Sequence, residues 1–323
     1  MSLRLRSLSV SSLAALLALS LPALADDEGT IPGDDVRFTG SLMAVSPSLP
    51  RGVLSIQPYF IYRQANGMFN EHGDRVDTAG RDSWAIAVPV SYGVTERLEL
   101  GLGLNASDSG QGWQVGDTSA RLKYQIVDGD NGRSAPAVTL AAIHTFATGR
   151  HDRLERAGEG RLHDASGSGV SGDSLAIYTQ RYSVLPNGRT LRTRVNFRYD
   201  LPSRGNNVDG ASVYGTEAGF HGRVDTRSGY AGLFALEYSF NSRWAAALDL
   251  QYKRQKGHRL YGTTADSTLV DERIASSWQF GVAPAVEYHL SDRVGMIFGV
   301  YQPVSGRNSS ARVMPQMAIN MIF

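Results

Sequence analysis

The sequence predicts an all-β protein, a transmembrane antiparallel up-and-down β-barrel of twelve strands. Three observations carry this. The amino terminus reads as an export leader, short turns alternate regularly with long connections, and the last strand alternates apolar and polar residues up to Phe323.

The leader comes first. Arg4 and Arg6 form a basic start, residues 13–21 are a short apolar core, and Ala23-Leu24-Ala25 is a small-x-small cleavage site followed by Asp26-Asp27. That is the pattern of a secretory signal peptide, too short to span a bilayer and followed by acid. Residues 1–25 are therefore expected to be removed, with cleavage at Ala23 and Ala25, and the chain exported to the cell outer membrane. Residues 26–51 are polar and carry Pro32, Pro47 and Pro50; they are expected to form a periplasmic segment or a small plug. The barrel takes residues 52–323.

Twelve strands are expected at 53–63, 82–93, 97–106, 115–127, 135–147, 172–185, 189–201, 228–240, 243–254, 274–290, 293–303 and 312–323. Each is long enough to cross a bilayer as a tilted strand, which takes roughly 9–11 residues. The connections at 94–96, 128–132, 186–188, 241–242 and 291–292 are short. Several are rich in Asn, Asp and Gly, as tight hairpins require. The connections between them are long, at 64–81, 107–114, 148–171, 202–227, 256–273 and 304–311. Barrels of this type place short turns in the periplasm and long loops outside. The second part of 202–227 has strand character, and is expected to be an outer loop or a strand extension.

Within strands, successive side chains point to opposite faces. Leu98, Leu100, Leu102 and Leu104 alternate with Glu99, Gly101, Gly103 and Asn105. Leu191, Thr193, Val195, Phe197 and Tyr199 alternate with Arg192, Arg194, Asn196, Arg198 and Asp200. Apolar faces end in aromatic residues, as at Trp84 with Tyr92 and Trp244 with Tyr252, where a barrel meets the two interfaces. His144 interrupts the apolar face of 135–147, and 172–185 is ambiguous in phase. In the last strand Met317, Ile319, Met321 and Phe323 are expected to face lipid. The strand resembles the carboxyl-terminal targeting strand of bacterial outer-membrane proteins, which implies that these residues are its membrane-insertion signal, read by the barrel-assembly machinery. Arg312, Gln316 and Asn320 then face a lumen.

Composition narrows the function. With residues 1–25 gone the formal net charge moves from +1 to −1, which offers no electrostatic case for nucleic acid. There are no cysteines, so there is neither a disulfide framework nor a thiolate site.

Residues 93–104 (G-V-T-E-R-L-E-L-G-L-G-L) and 115–124 (V-G-D-T-S-A-R-L-K-Y) resemble the paired motifs of the outer-membrane transporter family named for the meta-pathway of phenol degradation. The segment 238–252, with its N-S-R-W turn, and 288–301, with its L-S-D-R turn, repeat the same pattern. The resemblance covers residues 54–323 and marks strand–turn–strand units rather than a reaction. It implies a porin-like transporter for passive uptake of hydrophobic or aromatic molecules, with outer-membrane lipid and a small solute as partners. It carries no functional residues across.

The residues themselves offer a basic lumen face: Arg192, Arg194 and Arg198, with Arg121 and Lys123 in the same phase. In a low-dielectric wall such cations favour anions, for instance a carboxylate. Glu99, Glu237, Asp249, Lys253 and Glu287 are also expected to face inward, and the acids, with Asp117 and Asp200, offer these cations a structural network instead. Five of the seven histidines fall in expected outer loops without ligand spacing, so no metal or other cofactor is expected. His289-Leu290-Ser291 has the spacing of a hydrolase pair but sits at an expected periplasmic turn, so no enzyme is expected. Two other readings stand beside the channel: a structural or interaction barrel acting through its outer loops, and a lipid hydrolase.

Overall fold

The computed structural model describes residues 38–78, 81–108, 110, 112–155 and 164–323. The expected cleavage site at Ala23 and Ala25 and most of the segment preceding the barrel lie outside the described residues, as does His163.

The structure is a closed antiparallel barrel of twelve strands. β1 comes in two pieces, Leu54–Ile56 and Tyr59–Arg63; β2 is Ser83–Gly93, β3 Leu98–Asp108 and β4 Thr118–Val127. β5 is Ala137–Phe146, β6 Gly172–Val184, β7 Thr190–Asp200 and β8 Gly229–Ser239. β9 is Trp244–Gln255, β10 Ser277–His289, β11 Val294–Arg307 and β12 Met314–Ile322. Each strand pairs with the next in the chain, and β12 returns to β1 through Ser55 opposite Ile322 and Phe60 opposite Met317. Closure leaves no open edge in the barrel wall, which is what a strand protein needs inside lipid.

Three local departures from the sequence expectation have physical causes. The first strand breaks at Gln57-Pro58, because proline has no N–H for the ladder. The register is kept, since the Ile319 N–H donates to the Pro58 carbonyl at 3.1 Å. The turn after β4, Gly129–Gly132, is wound tightly through left-handed backbone, where Asp130 and Asn131 both take φ of 53°, a conformation that Asn and Asp tolerate. The connection 201–228 contains two strands, Ser203–Asp209 and His221–Thr226. They join His258–Thr263 and Leu269–Ile274 in a separate four-stranded sheet on the long-loop side. Val208, Phe220, Val224 and Leu260 form its own core, which is why it stands apart without adding strands to the barrel.

The outer wall is apolar. Leu100, Leu102 and Leu175 are each at least half exposed, at 50%, 55% and 54%, a surface that water would oppose and lipid accepts. Aromatic rings gather at the two ends of the strands. On the long-loop side Tyr62 packs on Trp84 at 4.9 Å, and Tyr252 bridges Tyr230 and Trp278 at 6.1 Å each. On the short-turn side Trp244 packs on Tyr288 at 4.6 Å and Tyr238 on Phe240 at 5.3 Å. These are the two aromatic girdles that hold a barrel at the interfaces.

Candidate functional site

The lumen is partly filled by the chain itself. Residues 38–50 carry no charged side chain. They enter from the short-turn end, rise to an apex at Met43–Val45 and descend to Pro50, so the segment is a loop standing inside the barrel. A peptide in that place brings N–H and C=O groups that need partners away from bulk water. The barrel wall supplies them from its polar face.

The rising limb is held by acids. Glu287 on β10 accepts the Thr39 and Gly40 N–H groups at 2.6 and 3.3 Å, and Asp249 on β9 accepts the Met43 N–H at 2.8 Å. Asn320 on β12 donates to the Thr39 carbonyl at 3.1 Å. At the apex Asn196 on β7 makes both bonds of one residue, accepting the Val45 N–H at 2.8 Å and donating to its carbonyl at 3.1 Å. The descending limb is held by Lys123 on β4 and Glu99 on β3. Lys123 donates to the Ser46 and Pro47 carbonyls, and Glu99 accepts the Leu49 N–H at 2.9 Å.

Glycines make room for this loop. A Cβ on Gly295 would overlap the Thr39 side chain, one on Gly299 would overlap Leu42, and one on Gly93 would overlap the Pro50 carbonyl. Leu42 packs with Ala247, Ala283, Ala285, Ile297 and Ala318, so one leucine of the segment fills the small-residue side of the lumen.

The charges anticipated from sequence therefore divide into three groups. Arg192 and Arg194 both pair with Glu237, Arg194 at 2.6 Å, and all three are buried. Arg194 also donates to the Ala44 carbonyl and to Ser41 and Ser46. Lys123 pairs with Glu99 at 2.7 Å. These residues neutralise one another and fasten the segment; they are not a ring of free cations. Arg198 pairs with Asp200 at 2.6 Å and stays half exposed towards the outer mouth. Lys253 lies on the same face of β9 as Asp249, nearer the outer end and exposed. Asp117 is not a partner for the lumen cations: it accepts the Gly149 and Ser168 N–H groups and so ties down a long loop.

Arg121 on β4 stands alone in the third group. Among the described residues it makes no ion pair; its Nη2 reaches Ser91 at 3.4 Å, and its buried Nε has no hydrogen-bond partner. It lines two cavities of the lumen. The upper one, 410 Å³, has Met43 and Val45 as its floor and Tyr178, Asn196, Arg198 and Gln251 in its wall. The lower one, 330 Å³, runs beside the loop past Ser91, Glu99 and Lys123. Arg121, Pro89, Met43 and Val45 border both.

Sequence reasoning did not reach Tyr178, Ser91, Met43 or Val45. Tyr178 was hidden by the ambiguous phase of β6, which the structure sets with Ser174, Ala176, Tyr178 and Gln180 inward. The signal for the loop was the charge-free run at 38–50 beside a lumen rich in charge: such a run binds through its backbone. The His289/Ser291 pair does not assemble. Ser291 Oγ accepts the Arg293 and Val294 N–H groups and caps its turn, while His289 points inward to Thr39 at 3.5 Å.

Fold and lumen define a barrel of the bacterial outer-membrane type. The chain is similar in structure to an outer membrane channel from Pseudomonas putida F1, with 12% identity over 86% of this chain and 97% of that one and a TM-score of 0.56. It is more distantly similar to the NanC porin (11% identity, 82% and 98% covered, TM-score 0.46) and to the CymD monoaromatic hydrocarbon channel (12%, 85% and 89%, TM-score 0.36). No family model matches the sequence, and no curated protein matches it. The resemblance to the phenol meta-pathway family thus rests on the strand–turn motifs at 93–104, 115–124, 238–252 and 288–301.

Proposed function

We propose that the protein is an outer-membrane channel for passive uptake of small hydrophobic or aromatic molecules, with a preference for those carrying a carboxylate. The observation that carries this is the upper cavity. It opens from the outer mouth, has an apolar floor of Met43 and Val45, and holds Tyr178 beside the unpaired Arg121. An aromatic acid matches that lining: the ring meets Tyr178 and the floor, and the carboxylate meets a guanidinium that has no other anion. The similarly folded outer membrane channel from Pseudomonas putida F1 supports the reading at the level of fold.

The loop 38–50 narrows the lower half of the path. Passage then requires either squeezing past Arg121 into the lower cavity or movement of the loop. The chain is read as exported and inserted through its last strand, with Phe323 exposed at the end of β12 and its N–H bonded to the Leu54 carbonyl. Planar-bilayer recordings test the channel. Anion selectivity that falls in Arg121→Gln and persists in Arg192→Gln supports the assignment; cation selectivity in the parent protein refutes the anionic preference. Uptake of benzoate-like acids by cells carrying or lacking the protein tests the solute class.

A further inference from the structure

On the outside of the barrel, near the long-loop end, three side chains stand in line. His144 on β5 and Asp173 on β6 are directly opposite in the ladder, and His144 Nδ1 lies 2.7 Å from Asp173 Oδ1. His144 Nε2 lies 3.2 Å from Ser171 Oγ, which is also 3.1 Å from the Thr145 carbonyl. Phe146 packs edge-on against the imidazole at 4.5 Å and helps fix its plane. This is the order and spacing of a nucleophile, a base and an orienting acid.

Asp173 is on the outward face of β6 with Leu175 and Ile177, at the end of the strand where the long connection 148–171 enters. His144 and Asp173 close one end of an apolar groove of 720 Å³ in the barrel wall. Ala120 and Ala142 form its floor, and Leu100, Leu102, Leu122 and Leu175 its sides. Small residues flanked by leucines make a trough suited to an acyl chain, whose ester would then lie at the polar end. A trio that served only to anchor the loop would not need a groove leading to it.

We propose that Ser171, His144 and Asp173 form a hydrolytic site for acyl esters of lipid-like molecules, separate from the lumen. Ser171 Oγ bonds to the ester carbon while its proton passes to His144 Nε2, and Asp173 holds Nδ1–H towards itself. The C–O bond to the alcohol breaks, and His144 returns the proton to the departing alkoxide. Water then attacks the acyl-serine, gives a proton to His144, and releases the carboxylic acid as Ser171 recovers its hydrogen. Covalent capture of the serine does not depend on turnover and is the sensitive measure.

The test uses the whole barrel in phospholipid vesicles with a long-chain fluorophosphonate probe and peptide mapping. The expected result is labelling at Ser171, absent in Ser171→Ala and slowed about 100-fold in His144→Gln, since a positioned base contributes about 10²–10⁴. Asp173→Asn should slow it as well. Octanoyl p-nitrophenyl ester hydrolysis should fall in the same variants. Absence of label on the parent protein, or equal labelling in His144→Gln, overturns the proposal. Heat-modifiable gel mobility confirms that each variant is a folded barrel, and bilayer conductance unchanged in Ser171→Ala separates this site from the channel.

Discussion

Lys123 and Glu99 face each other at 2.7 Å inside the barrel, and both hold the same stretch of chain. The ammonium binds the Ser46 and Pro47 carbonyls at 3.1 and 3.0 Å, and the carboxylate binds the Leu49 N–H at 2.9 Å. The ion pair is a latch on the descending limb of the internal loop. Its members need each other for neutrality, and the loop needs both for its backbone bonds.

Lys123→Met should therefore open the channel. It leaves the Glu99 carboxylate buried without its cation, and breaking a buried pair from one side costs about 3–5 kcal/mol. The loop is the part that can move to let water reach the charge. Single-channel conductance should rise, and the temperature at which the barrel unfolds on gels should fall. The double variant Glu99→Gln with Lys123→Met removes both charges and should recover most of the thermal loss. Conductance equal to that of the parent would contradict the latch.

Gly295 tests the rising limb by shape alone. Any side chain there meets Thr39, so Gly295→Val should displace the start of the loop and raise conductance without altering a charge. Thr39→Gly in the same chain removes the atoms in the way and should restore the parent conductance. Opening by Gly295→Val and its reversal by Thr39→Gly would show that the loop, and not the wall, sets the flux.

The barrel was legible in the sequence because lipid imposes a period of two on every strand, and the Leu98–Asn105 and Leu191–Asp200 alternations show it directly. Strand number followed from the turns. What the lumen charges do was not legible. A strand pattern tells that Arg194 and Glu237 point inward, but not that they meet across the β7–β8 ladder, or that Asn196 and Glu287 are spent on the backbone of a distant segment. The Asn196 and Glu287 contacts span about 150 and 250 residues of chain, and depend on a loop whose sequence has no period. The outer sheet was half visible: Val224 and Leu260 belong to strands read as loop, since their partners are each other and not the barrel.

Glu237 should be the most costly single loss in the wall. It is buried and is the shared anion of Arg192 and Arg194. Glu237→Ala leaves two guanidinium groups without it, whereas Arg192→Met removes one cation and leaves the other pair intact. The first should lower stability by at least the roughly 3–5 kcal/mol of a broken buried pair, and the second by less. Urea unfolding of the barrel in lipid vesicles measures both, and equal losses would mean that the three do not act as a unit.

The outer sheet should loosen in acid through Asp209. Its carboxylate receives His221 Nδ1 at 3.1 Å and Arg153 Nη2 at 3.0 Å, and these hydrogen bonds, with His221 the larger effect, hold its pKa below the ordinary carboxylate value. A depressed carboxylate contributes stability that is complete above the unfolded-state pKa, about 3.9, and is lost as pH falls through the lower folded value. The Asp209 contribution should then be unchanged from pH 7 to 5 and weaken only below about pH 4. Amide exchange at Val208 and Val224, corrected for the intrinsic effect of pH, should accelerate in that window. In Asp209→Asn the acceleration should vanish, because the group that titrates is gone; an unaltered acid response in that variant would assign the loosening to another carboxylate.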